Sequence, residues 1–282
     1  MQCSVGKIYF TKYGKMINMF ENKVKQNFDK YASDYEDNVY VQKQMANTLL
    51  EILVSNNNKK AENIFDIGCG TGYFTKKLLD IYKPDKISIN DISEKMLTIA
   101  KNKLQDSEVE KEYLLGDINL VNVEKGFDII TANAVFQWIR DKEKLFSKIS
   151  SFLSKKGLLY FSTFINGTFN ELENSFNKAY EFYNLDHKDH LLNLEMDCAI
   201  KEYLKNNNLE IINWVTKKYI VEYSSPIEFL KKVRDIGASN FNGRPVDIRI
   251  MRKMLSIYNE LYRNGNSSIP ATYYVLYCVA QK

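Results

Sequence analysis

The sequence has few of the residues that build metal and redox centres, and it has no long hydrophobic run. Its four cysteines are scattered over 282 residues and form no Cys-x-x-Cys pair, which argues against a zinc or dithiol site. Free thiols in a reducing compartment are the simpler account. No run of about eighteen uncharged apolar residues occurs, and the amino terminus has no apolar stretch of signal-peptide type. We therefore expect a cytoplasmic protein that does not insert into a membrane.

Histidine is also scarce. The only two, His187 and His190, lie three positions apart beside Asp186 and Asp189. This spacing could supply metal ligands, but no third clustered partner accompanies it. A solvated loop is the better interpretation, and we predict no metal.

The overall composition is that of an ordinary globular protein, with 45% hydrophobic and 26% charged residues. We expect a monomer in which residues 21 to 282 form one domain, preceded by a disordered basic extension at 1 to 20; Met19 is an alternative start. The net charge is +4, and residues 224 to 270 hold eight basic and four acidic side chains. That surplus is either a solvated helix surface or a face that attracts an acidic partner. No basic stripe interleaved with aromatic residues indicates nucleic acid.

The most informative segment is Ile-Phe-Asp-Ile-Gly-Cys-Gly-Thr-Gly, residues 64 to 72. A short apolar strand runs into a turn with three alternate glycines, and a helix-like sequence follows at 73 to 82. Glycines let the backbone bend tightly and approach a ligand, while the amides at the helix start face that ligand. The turn therefore predicts a site for a nucleotide-like small molecule.

Spacing and charge narrow the choice of ligand. The turn lacks the six-position Gly-x-Gly-x-x-Gly of nicotinamide and flavin folds, and it lacks the Gly-Lys-Ser/Thr ending of a phosphate-binding loop. Asp66 precedes the glycines, where a carboxylate would repel phosphate but attract an ammonium or sulfonium group. The pattern favours S-adenosylmethionine over NAD.

Further strands are predicted to end in polar groups at the same edge of the sheet, where ligands bind. A strand at 86 to 91 ends at Asp91, about twenty residues after the glycines, where a carboxylate can accept hydrogen bonds from ribose hydroxyls. Asp91 could also cap the helix predicted at 94 to 104, in competition with Ser93. Strands at 113 to 118 and 127 to 132 bring Asp117 and Ile118, suited to the amino group and ring face of adenine, and then Asn133.

The remaining sequence predicts an extended sheet with two helical insertions. Strands are expected at 157 to 163, 209 to 223 and 272 to 280, and helices at 226 to 236 and 247 to 263. Residues 167 to 208 look mainly helical. The insertions 167 to 208 and 224 to 270 are expected to pack near the active face as a cap.

Together these motifs resemble the class I S-adenosylmethionine-dependent methyltransferases over at least residues 20 to 165. The resemblance implies an α/β fold with a Rossmann-like, seven-stranded sheet, mostly parallel with an antiparallel last strand, plus helical cap insertions. It also implies that the helix carrying Phe28, Tyr31 and Tyr35 is a lid, with both tyrosines acting as catalytic residues; simple packing on the domain is the better interpretation for Phe28. The cofactor-binding residues that it implies are Asp66, Gly68, Cys69, Gly70, Gly72, Asp91, Ile92, Met96, Asp117, Ile118 and Asn133.

A narrower resemblance covers nearly everything after residue 20. Residues 28 to 35, 134 to 138, 161 to 172 and the tail (230 to 240, Gly243, Arg244 and 270 to 273) are similar to the malonyl-acyl-carrier-protein O-methyltransferases of biotin synthesis. This implies methylation of the free carboxylate of a malonyl thioester held on the phosphopantetheine arm of acyl carrier protein. Such a carboxylate is already ionised near neutral pH, so the reaction requires no general base.

The resemblance also suggests residues for the acceptor. Gln137, Trp138 and Arg244 are expected to bind the substrate, while Lys231, Lys232, Arg249 and Arg252 are expected to hold the carrier protein. Alternatives stay open for several of these residues. Arg244 could meet the carrier's acidic helix instead of the substrate carboxylate, and Gln137 with Trp138 could simply start a helix, with Trp138 in the core.

Two other functions remain compatible with the sequence. One is another carboxyl or small-molecule methyltransferase, which would accept a free acid or a coenzyme A thioester. The other is a binding module that kept the cofactor fold without catalysis, although the intact Asp66, glycine turn and Asp91 argue against decay of the site.

Overall fold

The computed structural model describes residues 19–56, 61–236, 246–265 and 267–282. Within them, a single seven-stranded sheet forms the centre of the molecule. Its strands are β1 (Asn63–Ile67), β2 (Lys86–Asp91), β3 (Glu110–Leu115), β4 (Phe127–Asn133), β5 (Leu153–Phe164), β6 (Glu210–Tyr223) and β7 (Ile269–Gln281).

The strands lie in the order β3-β2-β1-β4-β5-β7-β6. The pairs from β3 through to β5 are parallel, whereas β7 runs antiparallel to both of its neighbours, β5 and β6. The predicted fold is therefore confirmed, including the antiparallel last strand. From β1 the chain adds β2 and β3 on one side, and it then crosses to the other side of β1 to add β4 and β5. Ligands in open α/β sheets bind in the crevice between β1 and β4, where the strand order reverses.

Helices cover both faces of the sheet. The first, α1, occupies residues 19–31 of the described chain. The others are α2 (Tyr35–Asn38), α3 (Tyr40–Asn56), α4 (Tyr73–Ile81), α5 (Glu94–Lys103), α6 (Lys142–Phe152), α7 (Asn170–Phe182), α8 (Asp197–Asn206), α9 (Pro226–Asp235) and α10 (Ile248–Tyr262). Short 3-10 turns at Ala32–Asp34 and Phe136–Trp138 join some of these elements.

The hydrophobic core lies in two layers because alternate residues of a strand point to opposite faces. Ile64 and Ile129 pack with α3, α4 and α5 on one face, whereas Phe65 and Ile130 pack with α6 on the other. Since both faces are covered, β1 is buried at every position except its first. Asp66 is thus the one carboxyl group within the buried part of β1, whose other buried residues are apolar.

The helices of the two insertions are divided between the two faces of the sheet. Helix α7 packs against α10, and α9 packs against α10 and β6, on the face that carries α3. Helix α8 packs against α6 and β6 on the opposite face. Between α7 and α8, residues 183–196 form no helix or strand, so the first insertion is helical only at its two ends.

The first helix begins inside the segment predicted as a disordered extension. Residues 1–18 lie outside the described chain, but residues 19 and 20 already belong to α1, and Phe20 is buried. Within the residues that the structure describes, no helix is both long enough and apolar enough to span a membrane.

Candidate active site

Two cavities lie side by side at the carboxyl ends of β1, β2 and β4. The larger has a volume of about 720 Å³ including its open mouth, and the smaller has about 480 Å³. Tyr35, Gly68, Gly70 and Asn133 line both. The glycine turn after β1 therefore lies between two halves of one groove that is large enough for a nucleoside-sized ligand.

The three glycines of the turn differ in what surrounds them, although all three have positive φ. A methyl group on Gly68 would lie 2.5 Å from a side-chain carbon of Val135, and one on Gly72 would lie 3.1 Å from Ala100 of α5. A methyl group on Gly70 would meet no atom within 4 Å. Gly68 and Gly72 are thus needed for packing, while Gly70 leaves its space open to the groove.

Asp66 lies beneath this turn, lining the smaller cavity. Its two carboxylate oxygens accept hydrogen bonds from Thr75 at 2.6 Å and from Thr131 at 2.8 Å. Burial raises its pKa to about 6, although these two hydrogen bonds act in the opposite direction. The carboxyl group is held by both hydrogen bonds and is mostly ionised near neutral pH, above its pKa.

Asp91 ends β2 and lines the larger cavity. Its carboxylate accepts backbone hydrogen bonds from Gly70 and Ser93, both at 2.8 Å, so it holds the glycine turn against the start of α5. Burial raises the pKa of Asp91 to about 6 as well. Ser93, and not Asp91, caps α5, because its hydroxyl accepts a hydrogen bond from Met96 N at 3.1 Å.

One end of the larger cavity is lined by apolar side chains and by two neighbouring carboxyl groups. Ile92, Met96 and Ile118 line it, together with Asp117, which follows β3. The carboxyl of Glu21 from α1 also lines it. Burial, together with the charge of Asp117 and a hydrogen bond to it, raises the pKa of Glu21 to about 7. The carboxyl group of Glu21 therefore keeps its proton closer to neutral pH than an isolated carboxyl group does, beside Asp117.

Aromatic residues form the roof of the larger cavity. Phe28 of α1 contacts Tyr35 and Trp138 edge to face, with ring centroids 6.1 and 5.6 Å apart, and all three line the cavity. Burial and the nearby charge of Asp91 raise the pKa of Tyr35, so its hydroxyl stays protonated. The predicted partner Tyr31 lies outside the lining, with the ammonium of Lys30 4.9 Å from its ring centroid.

The smaller cavity carries both signs of charge. Glu36 and Lys43 line it together with Cys69, and the Lys43 ammonium donates to the backbone oxygen of Glu36 at 2.7 Å. Burial opposes ionisation of Glu36, but hydrogen bonds from Lys103 and Thr71 outweigh it and lower its pKa. The cavity thus offers a carboxylate and an ammonium to a zwitterionic ligand, whereas burial keeps the Cys69 thiol protonated by raising its pKa.

Asn133 and Gln137 hold the region after β4 in place. The Asn133 carboxamide accepts a hydrogen bond from Ser162 at 2.7 Å and donates to the backbone oxygen of Gln42 at 3.2 Å. Gln137 is buried, accepts from Thr163 at 2.9 Å and donates to the backbone of Ala134 at 2.7 Å. Gln137 does not line either cavity, so its amide is engaged in joining the 3-10 turn to β5.

The described residues predicted for carrier docking lie on two different helices, and none of them lines the groove. Lys231 and Lys232 lie on α9, where Lys232 donates to Asn38 of α2 at 2.8 Å. Arg249 and Arg252 are exposed on α10, and Arg249 pairs with Asp247 at 2.8 Å. Arg244 and Gly243 lie outside the described residues.

Several lining residues escaped the sequence analysis. Glu21 and Val24 precede the aromatic pattern of α1, and Gln42 with Lys43 lies in α3, a helix that carries no motif. Ala134 lines the larger cavity with a φ of 56°, an uncommon conformation for alanine that is held by hydrogen bonds from its amide to Ser162. A hydrophobic stripe through Val24 and Phe28 was the one available signal for the first group.

Curated relatives cover almost the whole chain. The chain is 34% identical to a malonyl-acyl-carrier-protein O-methyltransferase of Acetivibrio thermocellus, over 94% of this chain and 95% of that protein. A relative of the same name from Bacillus cereus is 32% identical over 93% and 97%. The chain belongs to the malonyl-acyl-carrier-protein O-methyltransferase family. As a member of this family it is an S-adenosylmethionine-dependent O-methyltransferase.

Other comparisons agree at the level of the fold. A family profile described as "Methyltransferase domain" matches residues 65–161, which span β1 to β5. The YcgJ protein of Bacillus subtilis matches with a TM-score of 0.58 at 14% identity, over 84% of this chain and 98% of that one. The geranyl diphosphate C-methyltransferase of Streptomyces coelicolor, solved with S-adenosyl-L-homocysteine, matches with a TM-score of 0.51 at 15% identity, over 85% and 78%.

Proposed function

We propose that this protein transfers a methyl group from S-adenosylmethionine to the free carboxylate of malonyl-acyl carrier protein, and that the methyl ester primes the synthesis of biotin's pimeloyl chain. The observation that carries the choice of acceptor is the similarity to enzymes of that name along nearly the whole of both chains. The sequence patterns further support a cytoplasmic monomer that binds neither nucleic acid nor membrane. Such an enzyme needs one site for the cofactor and one for a tethered anionic acyl group.

Several observations support the groove as the site for the cofactor. Gly70 leaves open the space that a side chain would fill, and its neighbour Asp91 presents a carboxyl group at the end of β2. We assign the adenosine part to the larger cavity, with Asp91 for the ribose and Asp117 for the ring amino group. The amino-acid part is assigned to the smaller cavity, where Glu36 and Lys43 complement its ammonium and carboxylate.

The two buried carboxyl groups suit a positively charged donor. Asp66 and Asp91 have pKa values raised to about 6, so a nearby cation stabilises their ionised forms. When bound, S-adenosylmethionine supplies an electrophilic methyl group on a sulfonium. The protein's part is to fix this end of the ligand beside the junction of the two cavities, which Tyr35, Gly68 and Asn133 line.

Catalysis then rests on alignment and on the exclusion of water. The acceptor is a carboxylate that is ionised near neutral pH, so the chain does not have to supply a base. Attack by an anion on a cationic centre disperses both charges, so a pocket of low polarity favours the transition state. Phe28, Tyr35 and Trp138 form such a roof. The Tyr35 hydroxyl, kept protonated by its raised pKa, can orient an oxygen without removing a proton.

The acceptor carboxylate also needs a cationic partner. We keep Arg244 for this role, because a guanidinium offers a planar fork to a carboxylate. Trp138 is proposed to contact the acyl group from the roof, whereas Gln137 acts through the position of the turn that carries Trp138. Tyr31 and Lys231 with Lys232 remain proposals that stand on the sequence resemblance.

The direct test is a methyl-transfer assay followed by mass measurement of the carrier's arm. Purified protein is incubated with labelled S-adenosylmethionine and malonyl-acyl carrier protein, and the arm is released and weighed. We expect one added methyl group, lost again on mild ester hydrolysis. Malonyl-coenzyme A and unrelated free acids are the controls, and faster turnover of a free acid than of the malonyl-carrier would contradict the proposal.

A further inference from the structure

A third cavity lies apart from the cofactor groove and has no role in the assignments above. It has a volume of about 690 Å³ and lies between the turn that follows β5, residue Phe176 of α7 and the segment 187–194. We call it the loop cavity. Among the described residues, it shares no lining residue with either half of the cofactor groove.

Although separate, the loop cavity adjoins the groove through one side chain. Leu192 lines the loop cavity and also packs on the cluster formed by Phe20, Val24, Phe28, Ile92 and Trp138. Four members of that cluster, namely Val24, Phe28, Ile92 and Trp138, line the larger half of the groove. Leu192 is therefore part of the wall between the two spaces.

The segment that forms this wall is fixed at both ends. On one side, His190 hydrogen-bonds the hydroxyl of Tyr180 at 2.7 Å and lies against Phe176, with ring centroids 4.6 Å apart. On the other side, Glu195 accepts a backbone hydrogen bond from Asn166 at 3.0 Å and pairs with the buried Lys142 at 3.8 Å. The segment 191–194 is therefore anchored on both sides, with the Leu192 side chain between the two spaces.

The chemistry of the loop cavity is that of a polar channel. Asn166 and Asn193 bring carboxamides, Glu173 and Asp189 bring carboxylates, and His187, Lys188 and His190 bring nitrogen groups. Burial and the charges of His187 and Lys188 lower the pKa of His190, so its ring is neutral near pH 7. Mixed donors and acceptors above the apolar Leu191, Leu192 and Leu194 suit a flexible chain with amide groups and methylene segments.

Lys188 of the loop cavity lies near the start of α10, where its charge acts on Asp247. A hydrogen bond from Arg249 lowers the pKa of Asp247 to about 2, and Lys188 on the cavity rim adds to this effect. Arg249 also lies 5.9 Å from the ring centroid of Tyr183, and the Lys253 ammonium lies 3.8 Å from that of Phe182, which is 60% exposed. The rim thus joins cationic side chains to exposed aromatic rings, a surface that complements an acidic, amphipathic partner.

From this juxtaposition we infer that the loop cavity binds the amide-containing thioester arm of the carrier-bound substrate, entering beside Arg249 and passing Leu192 to reach the methyl donor. The inference rests on the proposed function and adds to it a route for the arm. It also predicts that Arg249 and Arg252, rather than Lys231 and Lys232, lie nearest to the docked carrier.

The two histidines give a readout that does not depend on activity. Because His187 and His190 are the chain's only histidines and both line this cavity, protein without a histidine tag and labelled at histidine reports on the cavity alone. Protein saturated with S-adenosylhomocysteine is titrated with malonyl-4′-phosphopantetheine and followed by imidazole NMR. We expect the ring signals to shift on titration, and to shift little when S-adenosylhomocysteine alone is added.

Variants of the wall test the route. Leu192→Trp is expected to raise the KM for malonyl-carrier at least about tenfold, with the Kd for S-adenosylhomocysteine within about twofold of wild type. Asn193→Trp, at an exposed position of the same cavity, should do the same without disturbing the core. The matched control is Leu185→Trp, which introduces the same ring at an exposed site that lines neither space and should change neither constant.

The possible failures can be told apart. Methylation of malonyl-carrier with unmoved histidine signals, or with an unchanged KM in both cavity variants, overturns the route and leaves the proposed function standing. Shifted histidine signals without any methyl transfer support the site and overturn the proposed acceptor chemistry. If neither methyl transfer nor shifted histidine signals are seen, both the route and the proposed function are wrong.

Discussion

At the scale of single residues, alanine substitutions at two glycines can distinguish an effect on folding from an effect on ligand binding. Gly70 and Gly126 both have positive φ, and a methyl group on either would meet no atom within 4 Å. Alanine at each should cost about 1–2 kcal/mol of folding stability from backbone strain alone. Only Gly70→Ala, however, places its methyl group in the groove. We therefore expect it to weaken S-adenosylhomocysteine binding at least about tenfold, or about 1.4 kcal/mol, by calorimetry.

The comparison with Gly126→Ala decides whether that loss is local. Gly126 precedes β4 and does not line the groove, so its variant should unfold at a similarly lowered temperature but bind the ligand normally. Equal affinities for the two variants would mean that Gly70 does not face the cofactor.

The buried acids predict a pH dependence that distinguishes the charged cofactor from its neutral product. The pKa values of Asp66 and Asp91 are raised to about 6, so both groups are protonated below that pH and ionised above it. The affinity for S-adenosylmethionine relative to S-adenosylhomocysteine should therefore rise between about pH 5 and pH 7. The ratio of the two affinities is the quantity to measure, because the Glu21–Asp117 pair is proposed to contact the adenosine part, which the two ligands share. In Asp91→Asn the rise should shrink.

The same carboxyl groups affect folding in the opposite direction. A carboxyl whose pKa is raised in the folded protein is harder to ionise there than in the unfolded chain. Glu21, Asp66 and Asp91 should therefore make the ligand-free protein less stable as the pH rises from about 4 through their folded pKa values of about 6 to 7. Urea unfolding at several pH values checks the sign.

Arg244 gives a further prediction at this scale. If its guanidinium orients the acceptor carboxylate, Arg244→Ala should lower turnover of malonyl-carrier more than it lowers cofactor affinity, and Arg244→Lys should recover only part of the loss. Calorimetry and steady-state kinetics on the same preparations separate the two effects. Weakened cofactor binding with intact turnover would rule out the assignment.

At the scale of secondary-structure elements, Ser93 joins two helices around the groove. Its hydroxyl accepts from Met96 N as the cap of α5 and donates to Asp29 of α1 at 2.6 Å. Ser93→Ala should cost about 1 kcal/mol of stability through the lost cap and should also loosen α1, which carries Phe28. Hydrogen exchange in α1 and the Kd for S-adenosylhomocysteine should both increase.

A second serine cap provides the control. Ser225 accepts from Glu228 N at 3.2 Å at the start of α9 and makes no contact with α1 among its described hydrogen bonds. Ser225→Ala should lose a similar amount of stability with an unchanged Kd. If both variants bind the ligand normally, the contact between Ser93 and Asp29 does not hold α1 in a position that ligand binding needs.

The sequence predicted the elements better than it predicted the side of the sheet on which each lies. Strands such as Lys86–Asp91 were expected at their observed bounds, because buried strands read as short apolar runs between turn residues. Local patterns also placed Asp66, Gly70 and Asp91 at one edge. Nothing local could show that α8 packs with α6, or that Lys43 of α3 reaches the glycine turn, because those contacts depend on how distant segments meet. For the same reason, Gln137 looked like a substrate residue although its amide bonds Thr163.

At the scale of the whole molecule, the position of the basic residues can be tested by charge reversal. Arg249→Glu with Arg252→Glu should raise the KM for malonyl-carrier severalfold at low salt, with a smaller effect at high salt because charges at an exposed rim are screened. Lys231→Glu with Lys232→Glu should have the smaller effect, since Lys232 bonds Asn38 on another surface.

A control pair of equal charge lies at the opposite edge of the sheet. Lys83 and Lys155 are exposed near the amino-terminal ends of β2 and β5, away from the groove. Reversing both should leave the KM unchanged. If charge reversal of this pair raises the KM as much as reversal of the α10 pair does, the KM depends on the net charge of the protein and not on the position of the basic residues.

The antiparallel strand β7 also constrains how the protein is made. It pairs on one side with β5 and on the other with β6, although both precede it in the chain. On the ribosome, β6 therefore has no sheet partner until residues 269–281 have emerged, and until then β5 presents an open edge that can recruit strands from other nascent chains. Translation arrest before residue 269 should accordingly leave a product that chaperones retain.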